Sequence, residues 1–160
     1  MTVSLADVVA QVESGGNQFA FRFEPAQYAR LLQTDDQTRN AVGAQIRLVE
    51  QIHGCSPDSA RVLLASSWGR HQLMGFNIWS GRYTGMAWHF LDAQSDQDVL
   101  FDEFVEAIGI DEVQMADASW LMTDQAAALE FATRYNGPGQ PTVYLGLLQA
   151  AYVKLSGTGV

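Results

Sequence analysis

Apolar residues recur at helical spacing in short segments along this chain, each opened by a capping residue or proline and most closed by glycine. That punctuation restricts the fold more than any other feature, because a period near 3.6 cannot rest as a strand. Ser4-Leu5-Ala6-Asp7 reads as a capping box, and Leu5, Val8, Val9 and Val12 then follow at helical spacing until Gly15-Gly16. Pro25 suits the first turn of a second helix, to about Leu32. A third is expected from about Gln37 to His53. Ser56-Pro57 opens a fourth, which runs into Ser66-Ser67-Trp68-Gly69.

Gly75 to Gly85 reads as a loop. Helices are expected from about Thr84 to Asp92, and from a Ser95 cap (with Asp98 three residues on) to Gly109. A short one is expected over Asp111 to Trp120, another from a Thr123 cap to Tyr135, and a last from Pro141 to about Leu155, with a mobile tail from Ser156. No segment alternates apolar and polar residues convincingly, so the fold class is all-α or nearly so. At 160 residues the chain is expected to form one domain, residues 1–160, with a hydrophobic content of 48% that rules out disorder.

The net charge of −9 argues against nucleic acid as a partner, since phosphate contacts need clustered Lys and Arg. Between Arg82 and Arg134 there is no Lys or Arg, while eleven Asp or Glu fall in that interval, a face that anionic membranes would repel. No apolar run approaches the roughly 20 residues that span a bilayer, and Met1–Asp7 has no signal-peptide pattern. Cys55 is the only cysteine, without the context of a nucleophile, and reads as a small packed residue. His53, His71 and His89 are widely separated and offer no metal-ligand pairing. Asp92 to Glu103 has the spacing of a calcium loop, but Gln97 stands where glycine is required, and a capped acidic helix explains it better.

One carboxylate sits where helix design would not place it. Glu13 lies in the last turn before Gly15-Gly16, at the negative end of the helix dipole, which disfavours it by roughly 0.3–1 kcal/mol. A general acid that must keep its proton near neutral pH is one reason for such a choice, and a solvated Glu in a frayed turn is the other. Two further stretches could carry chemistry. In Ser66 to Gly75, small and polar residues interrupt a buried-looking region, Gly69 allows close approach, and the Gln72 amide could hold a sugar N-acetyl or hydroxyl group, or be a satisfied core amide. In Arg134-Tyr135-Asn136-Gly137, a Tyr–Asn pair could flank a carboxylic acid or simply end a helix.

Glu13-Ser14-Gly15-Gly16, then Ser67-Trp68-Gly69-x-x-Gln72-Leu73-Met74-Gly75-Phe76-Asn77, then Tyr135-Asn136-Gly137, in this order and at these separations, resemble the N-acetylmuramidase family of phage endolysins. That family is part of the wider lysozyme-like group, which includes soluble lytic transglycosylases and goose-type lysozyme. The likeness runs from about Leu5 to Tyr152. It implies a lysozyme-like helical domain with a substrate cleft, no separate wall-binding domain and no cofactor. It makes Glu13 the catalytic acid, gives Glu24 a second acidic position, and places Ser67, Gln72, Tyr135 and Asn136 along the saccharide. Two departures stand out: the family pattern has apolar residues where this chain has Arg70-His71, and a His soon after the Phe-Glu pair where this chain has Pro25-Ala26.

Trp79, Tyr83 and Phe76 could stack on sugar rings or belong to the core, and His71 could touch substrate or lie at the surface. Trp68, Tyr135 and the loop after Gly75 are expected to close around the Glu13 carboxyl, since burial is needed to keep it protonated. Animal lysozymes have an Asp just before the aromatic-Gly pair, where this chain has Ser67, so a nucleophile there is excluded. Hydrolysis with Glu24 activating water is favoured over attack by the substrate's own C6 hydroxyl, which would leave a 1,6-anhydro end as lytic transglycosylases do. A non-catalytic wall-binding or virion domain is the rival from another class. The expected partner is the peptidoglycan glycan strand, met by a monomer. The chain is expected to be made in the host cytoplasm and to reach the wall through a membrane lesion or as part of a virion.

Overall fold

Ser4 caps the first helix, α1 (Leu5–Ser14), by accepting the Asp7 N–H at 3.1 Å and donating its hydroxyl to the Asp7 carboxylate at 2.8 Å. Gly15 ends it at φ 65°, the left-handed conformation that a side chain would make costly, and Gly16 N–H closes back on the Ala10 carbonyl. The computed structural model that shows this describes residues 2–34 and 41–157. The elements that follow are β1 (Phe21–Phe23), α2 (Pro25–Leu32), α3 (Ala41–His53), α4 (Pro57–Leu64), β2 (Ser66–Trp68), β3 (Leu73–Met74) and α5 (Gly75–Ile78). Then come α6 (Ala87–Asp92), α7 (Gln94–Ala107), α8 (Glu112–Ala116), α9 (Trp120–Thr123), α10 (Gln125–Asn136) and α11 (Pro141–Ser156). The fold is mostly helical, as the spacing predicts.

Several boundaries differ from expectation for local reasons. The stretch from Gly75 is a helical turn before it is a loop, because Gly75 packs so closely on Leu63 and Leu64 that any Cβ would strike their backbone. Asp124, not Thr123, caps α10, accepting the Ala127 N–H at 3.0 Å. The expected helix over Asp111 to Trp120 is two turns, α8 with an Asp111–Gln114 capping box and α9. The helix of Asp98 starts at Gln94, so Ser95 lies inside α7 and Asp98 is released from any capping role. The expected start of α3 at Gln37 and the tail beyond Gly157 lie outside the described residues, while Ser156 is still helical.

The chain divides into two compact units, with the boundary inside α7. The first, residues 1–16 and 101–160, packs α1 and α10 on α11. Its core includes Leu5, Val8 and Val9 from α1, Phe131 from α10, and Leu145 and Leu148 from α11, each fully or almost fully buried. Burial of each such side chain contributes about 1.5–3 kcal/mol, which far exceeds any penalty from placing one carboxylate at the end of α1.

The second unit, residues 17–100, packs α3 on α4 and holds a three-stranded antiparallel sheet in the order β1-β2-β3. Phe21 pairs with Trp68 and Trp68 with Leu73, so these three share one face of the sheet. Arg22, Ser67 and Met74 share the other. Strands of two or three residues are too short to show a period of two in the sequence, which is why the sheet went unread.

Candidate active site

Glu13 is the penultimate residue of α1, half-buried, and side chains from the long helices of its own unit meet it. Tyr144, on the inward stripe of α11 with Leu145, Leu148 and Ala151, donates its hydroxyl to Glu13 Oε1 at 2.6 Å. Tyr135 of α10 stacks on the Tyr144 ring, with centroids 6.1 Å apart and planes inclined by 8°. Phe101, Phe104 and Phe131 pack around Tyr135 in turn, at centroid distances of 6.0, 5.6 and 5.4 Å. Two phenols therefore stand in an aromatic cluster next to one carboxyl.

The electrostatics of the pair follow from that setting. Burial pushes the Tyr144 phenol far above its ordinary value, and the neighbouring Tyr135, the Glu13 charge and the hydrogen bond to Glu13 all act the same way. Tyr135 is raised well above its ordinary value, first by burial and then by the Glu13 charge. Both phenols keep their protons at any working pH and remain donors. Tyr135 thus walls Glu13 as expected, and Asn136 follows as the exposed last residue of α10, before Gly137 at φ 85°. Sequence reading missed Tyr144. Its signal was a lone phenolic hydroxyl on the apolar stripe of the last helix, where a polar tip needs a buried partner.

In the second unit the sheet sets Ser67 opposite Arg22, the ion-pair partner of Glu24. Arg22 and Ser67 pair across β1 and β2, and Glu24, two residues on from Arg22, bonds the Arg22 guanidinium at 2.5 Å. The Glu24 backbone is fixed by its N–H to the Ala65 carbonyl and by opening α2 ahead of Pro25. Its side chain is 29% exposed. Ser67 was expected along the saccharide, and this needs correction: it is 1% exposed, and its hydroxyl donates to Met74 Sδ at 3.2 Å within the sheet.

Gln72 lies in the turn between β2 and β3 at φ 50°, a left-handed conformation that costs a non-glycine residue about 1–2 kcal/mol. Its Nε2 donates to the Gly69 carbonyl at 3.0 Å, which closes the turn. That bond uses one N–H, and among the described residues the amide oxygen has no protein partner. Gln72 is therefore neither a satisfied core amide nor a disordered surface one.

Two further expectations, for Trp79 and His71, need correction. Trp79 has no exposed surface: its indole N–H donates to the Gly85 carbonyl, and His53 and Trp68 meet it edge to face at 5.2 and 5.8 Å. No ring face remains for a sugar, so Trp79 is core. Tyr83 is half-buried, packed on Phe90 at 5.5 Å and under Gly85, with its phenol raised by burial and by Asp96. His71 neither touches the surface nor stands ready for substrate. It is 1% exposed, and its Nε2 lies 2.9 Å from Asp98 Oδ1. Trp68 packs against Phe21 and Trp79, and its indole donates to the Leu63 carbonyl. Burial raises the half-buried Cys55 thiol, helped by the charge of Glu50, which keeps it from acting as a thiolate.

A mostly helical fold with one small three-stranded sheet is that of a lysozyme-like domain. The chain belongs to the N-acetylmuramidase family, whose sequence profile matches residues 50–156. It is also 36% identical over 138 residues to the endolysin of Enterobacteria phage PRD1, covering 86% of this chain and 88% of that protein. No solved structure matches it. It is accordingly a peptidoglycan-degrading muramidase, a glycoside hydrolase of the lysozyme type. The profile match covers Ser67, Gln72, Tyr135, Asn136 and Tyr144, whereas Glu13 and Glu24 precede it.

Proposed function

We propose that this chain hydrolyses the β-1,4 bond between N-acetylmuramic acid and N-acetylglucosamine with Glu13 as the general acid. The bond from the buried Tyr144 hydroxyl to Glu13 Oε1 is the observation that carries this reading. A frayed, solvated Glu would have no fixed phenol aimed at it. The bond fixes the rotation of the carboxyl group. It also offers a donor that strengthens when Glu13 has given its proton to the glycosidic oxygen and become charged.

Glu24 is the second carboxylate in this reading and activates the water that attacks the anomeric carbon, with its orientation supported by the bond to Arg22. Gln72 and Asn136 contact the saccharide through their amides, Tyr135 backs the acid, and Ser67 supports the sheet face that carries Arg22. The 160 residues act as one catalytic domain and as a monomer on glycan strands. The reading places synthesis in a host cytoplasm and access to the wall through a membrane lesion or a virion. Among the described residues no helix is long and apolar enough to cross a membrane.

Two measurements test the proposal. Glu13→Gln is expected to abolish turbidity loss of purified walls while the far-UV spectrum stays unchanged; undiminished lysis would remove Glu13 from the chemistry. Mass spectrometry of the digested glycans is expected to show reducing muramic acid ends. Products lighter by one water would carry 1,6-anhydro ends and assign the chain to the transglycosylase reaction, leaving Glu24 without its role.

A further inference from the structure

The Gly69–Gln72 turn is held from behind by two consecutive residues of α7, which read two consecutive residues of the turn. Gln97 is 1% exposed, and its Oε1 accepts the Arg70 backbone N–H at 2.8 Å. Its Nε2 faces three carbonyls, those of Phe90 at 2.9 Å, Gln18 at 3.1 Å and Leu91 at 3.2 Å. Asp98 Oδ1 takes the His71 Nε2 at 2.9 Å and lies 3.6 Å from the Arg70 guanidinium. Gly69, at φ 75°, packs so closely on the Gln97 amide that any Cβ there would collide with it. Gly69 N–H in turn bonds the Ala20 carbonyl, just before β1.

A buried amide and a partly buried ionic cluster are expensive ways to pack a turn, since apolar side chains would fill the same space without unpaired polar groups at stake. What they supply is direction. Each bond from Gln97 and Asp98 fixes the orientation of one turn residue, and the next residue in the chain, Gln72, is held in a conformation it would not adopt by itself.

We infer that Gln97 and Asp98 are positioning residues for glycan binding, which hold Arg70 and His71 so that the Gln72 amide points its open oxygen and second N–H at an N-acetylhexosamine residue. This rests on the reading of Gln72 as a saccharide contact. Neither α7 residue touches substrate; both act through the turn.

The test is steady-state kinetics on soluble, peptide-free glycan strands. Gln72→Ala is expected to raise KM about tenfold, the loss of one well-placed hydrogen bond, with kcat nearly unchanged. Asp98→Ala and Gln97→Leu are expected to raise KM to a similar degree, and Gln72→Ala/Asp98→Ala to add little further, because both changes remove one interaction. A merely structural role would instead lower the fraction of active enzyme, so that apparent kcat falls and KM stays. That outcome, or full additivity in the double variant, overturns the inference while leaving Gln72 as a contact. If Gln72→Ala alone leaves KM unchanged, the reading of Gln72 fails and the inference falls with it. Asp98→Ala carries the test where Gln97→Leu does not fold, because the Asp98 side chain is 37% exposed. The Gln72 side-chain amide signals in a nitrogen–proton correlation spectrum are expected to shift in Asp98→Ala.

Discussion

The two units hold the side chains proposed to act on the glycan by opposite means. In the first, Glu13, Tyr135 and Tyr144 stand on helices of 10, 12 and 16 residues, and an apolar core surrounds the two neutral phenols. In the second, Gln72 stands in a turn between strands of three and two residues, kept in a left-handed conformation by a buried amide, a histidine and an ion pair. Long helices need no polar scaffolding to fix a residue, because burial of their apolar stripe already does so. Short strands bury too little to fix a turn, and buried hydrogen bonds take over that role. The comparison teaches where damage should appear: as lost rate in the first unit, and as lost stability and binding in the second.

The largest expected effect is in rate. Glu13→Gln should lower kcat by about 10²–10⁴-fold, the usual contribution of a positioned acid, with the urea midpoint nearly unchanged. A large loss of stability would break the contrast at its strongest point. Gly69→Ala should do the reverse. A Cβ at φ 75° that also strikes Gln97 should cost about 2–4 kcal/mol of stability, read as a lower denaturation midpoint.

Tyr144→Phe sharpens the contrast within the first unit. It keeps the ring stacked on Tyr135 and removes only the donor to Glu13, so kcat should fall by about tenfold with little change in KM or in midpoint. A midpoint that drops in step with kcat would make the tyrosine a core residue and nothing more.

The smallest effect concerns His53, in the second unit. Burial lowers its pKa, against the opposing influence of its bond to the Val49 carbonyl. Its Nε2 accepts the Ala87 N–H at 3.0 Å, which requires the neutral ring. A group whose folded pKa is depressed contributes stability that is fully present above the unfolded value of about 6.5 and is lost as pH falls through the folded one. Melting temperature should therefore decline below about pH 6.5, and His53→Gln should flatten that part of the curve. An unchanged slope in the variant would assign the decline to other groups.

Much of this was legible in the chain. The helices from Ser4, Pro25, Ser56 and Pro141 could be read because caps, prolines and apolar spacing agree there, and the order of the three motifs carried the family. Glu13 was legible as an acid in the wrong place. Tyr144 was not, because its partner lies 131 residues away and nothing local distinguishes a tyrosine that packs from one that donates. Trp79 looked available for sugars for the same reason: an aromatic side chain declares its size in the sequence but not its exposure. Asp98 was misread as part of a cap because it stands three residues after a serine, whereas its partner is His71, 27 residues earlier.

By itself the sequence determined the helical class, most helix starts, the acid at the end of the first helix and the family. Each of these depends on local spacing or on residues that identify themselves by type. Tertiary structure alone decided which hydroxyl meets Glu13, that the Arg70-His71 departure is a buried cluster rather than a substrate contact, and that a three-stranded sheet sets Ser67 on the face of Arg22. These depend on contacts across many residues of chain, where burial turns an ordinary polar side chain into one that must find a single partner.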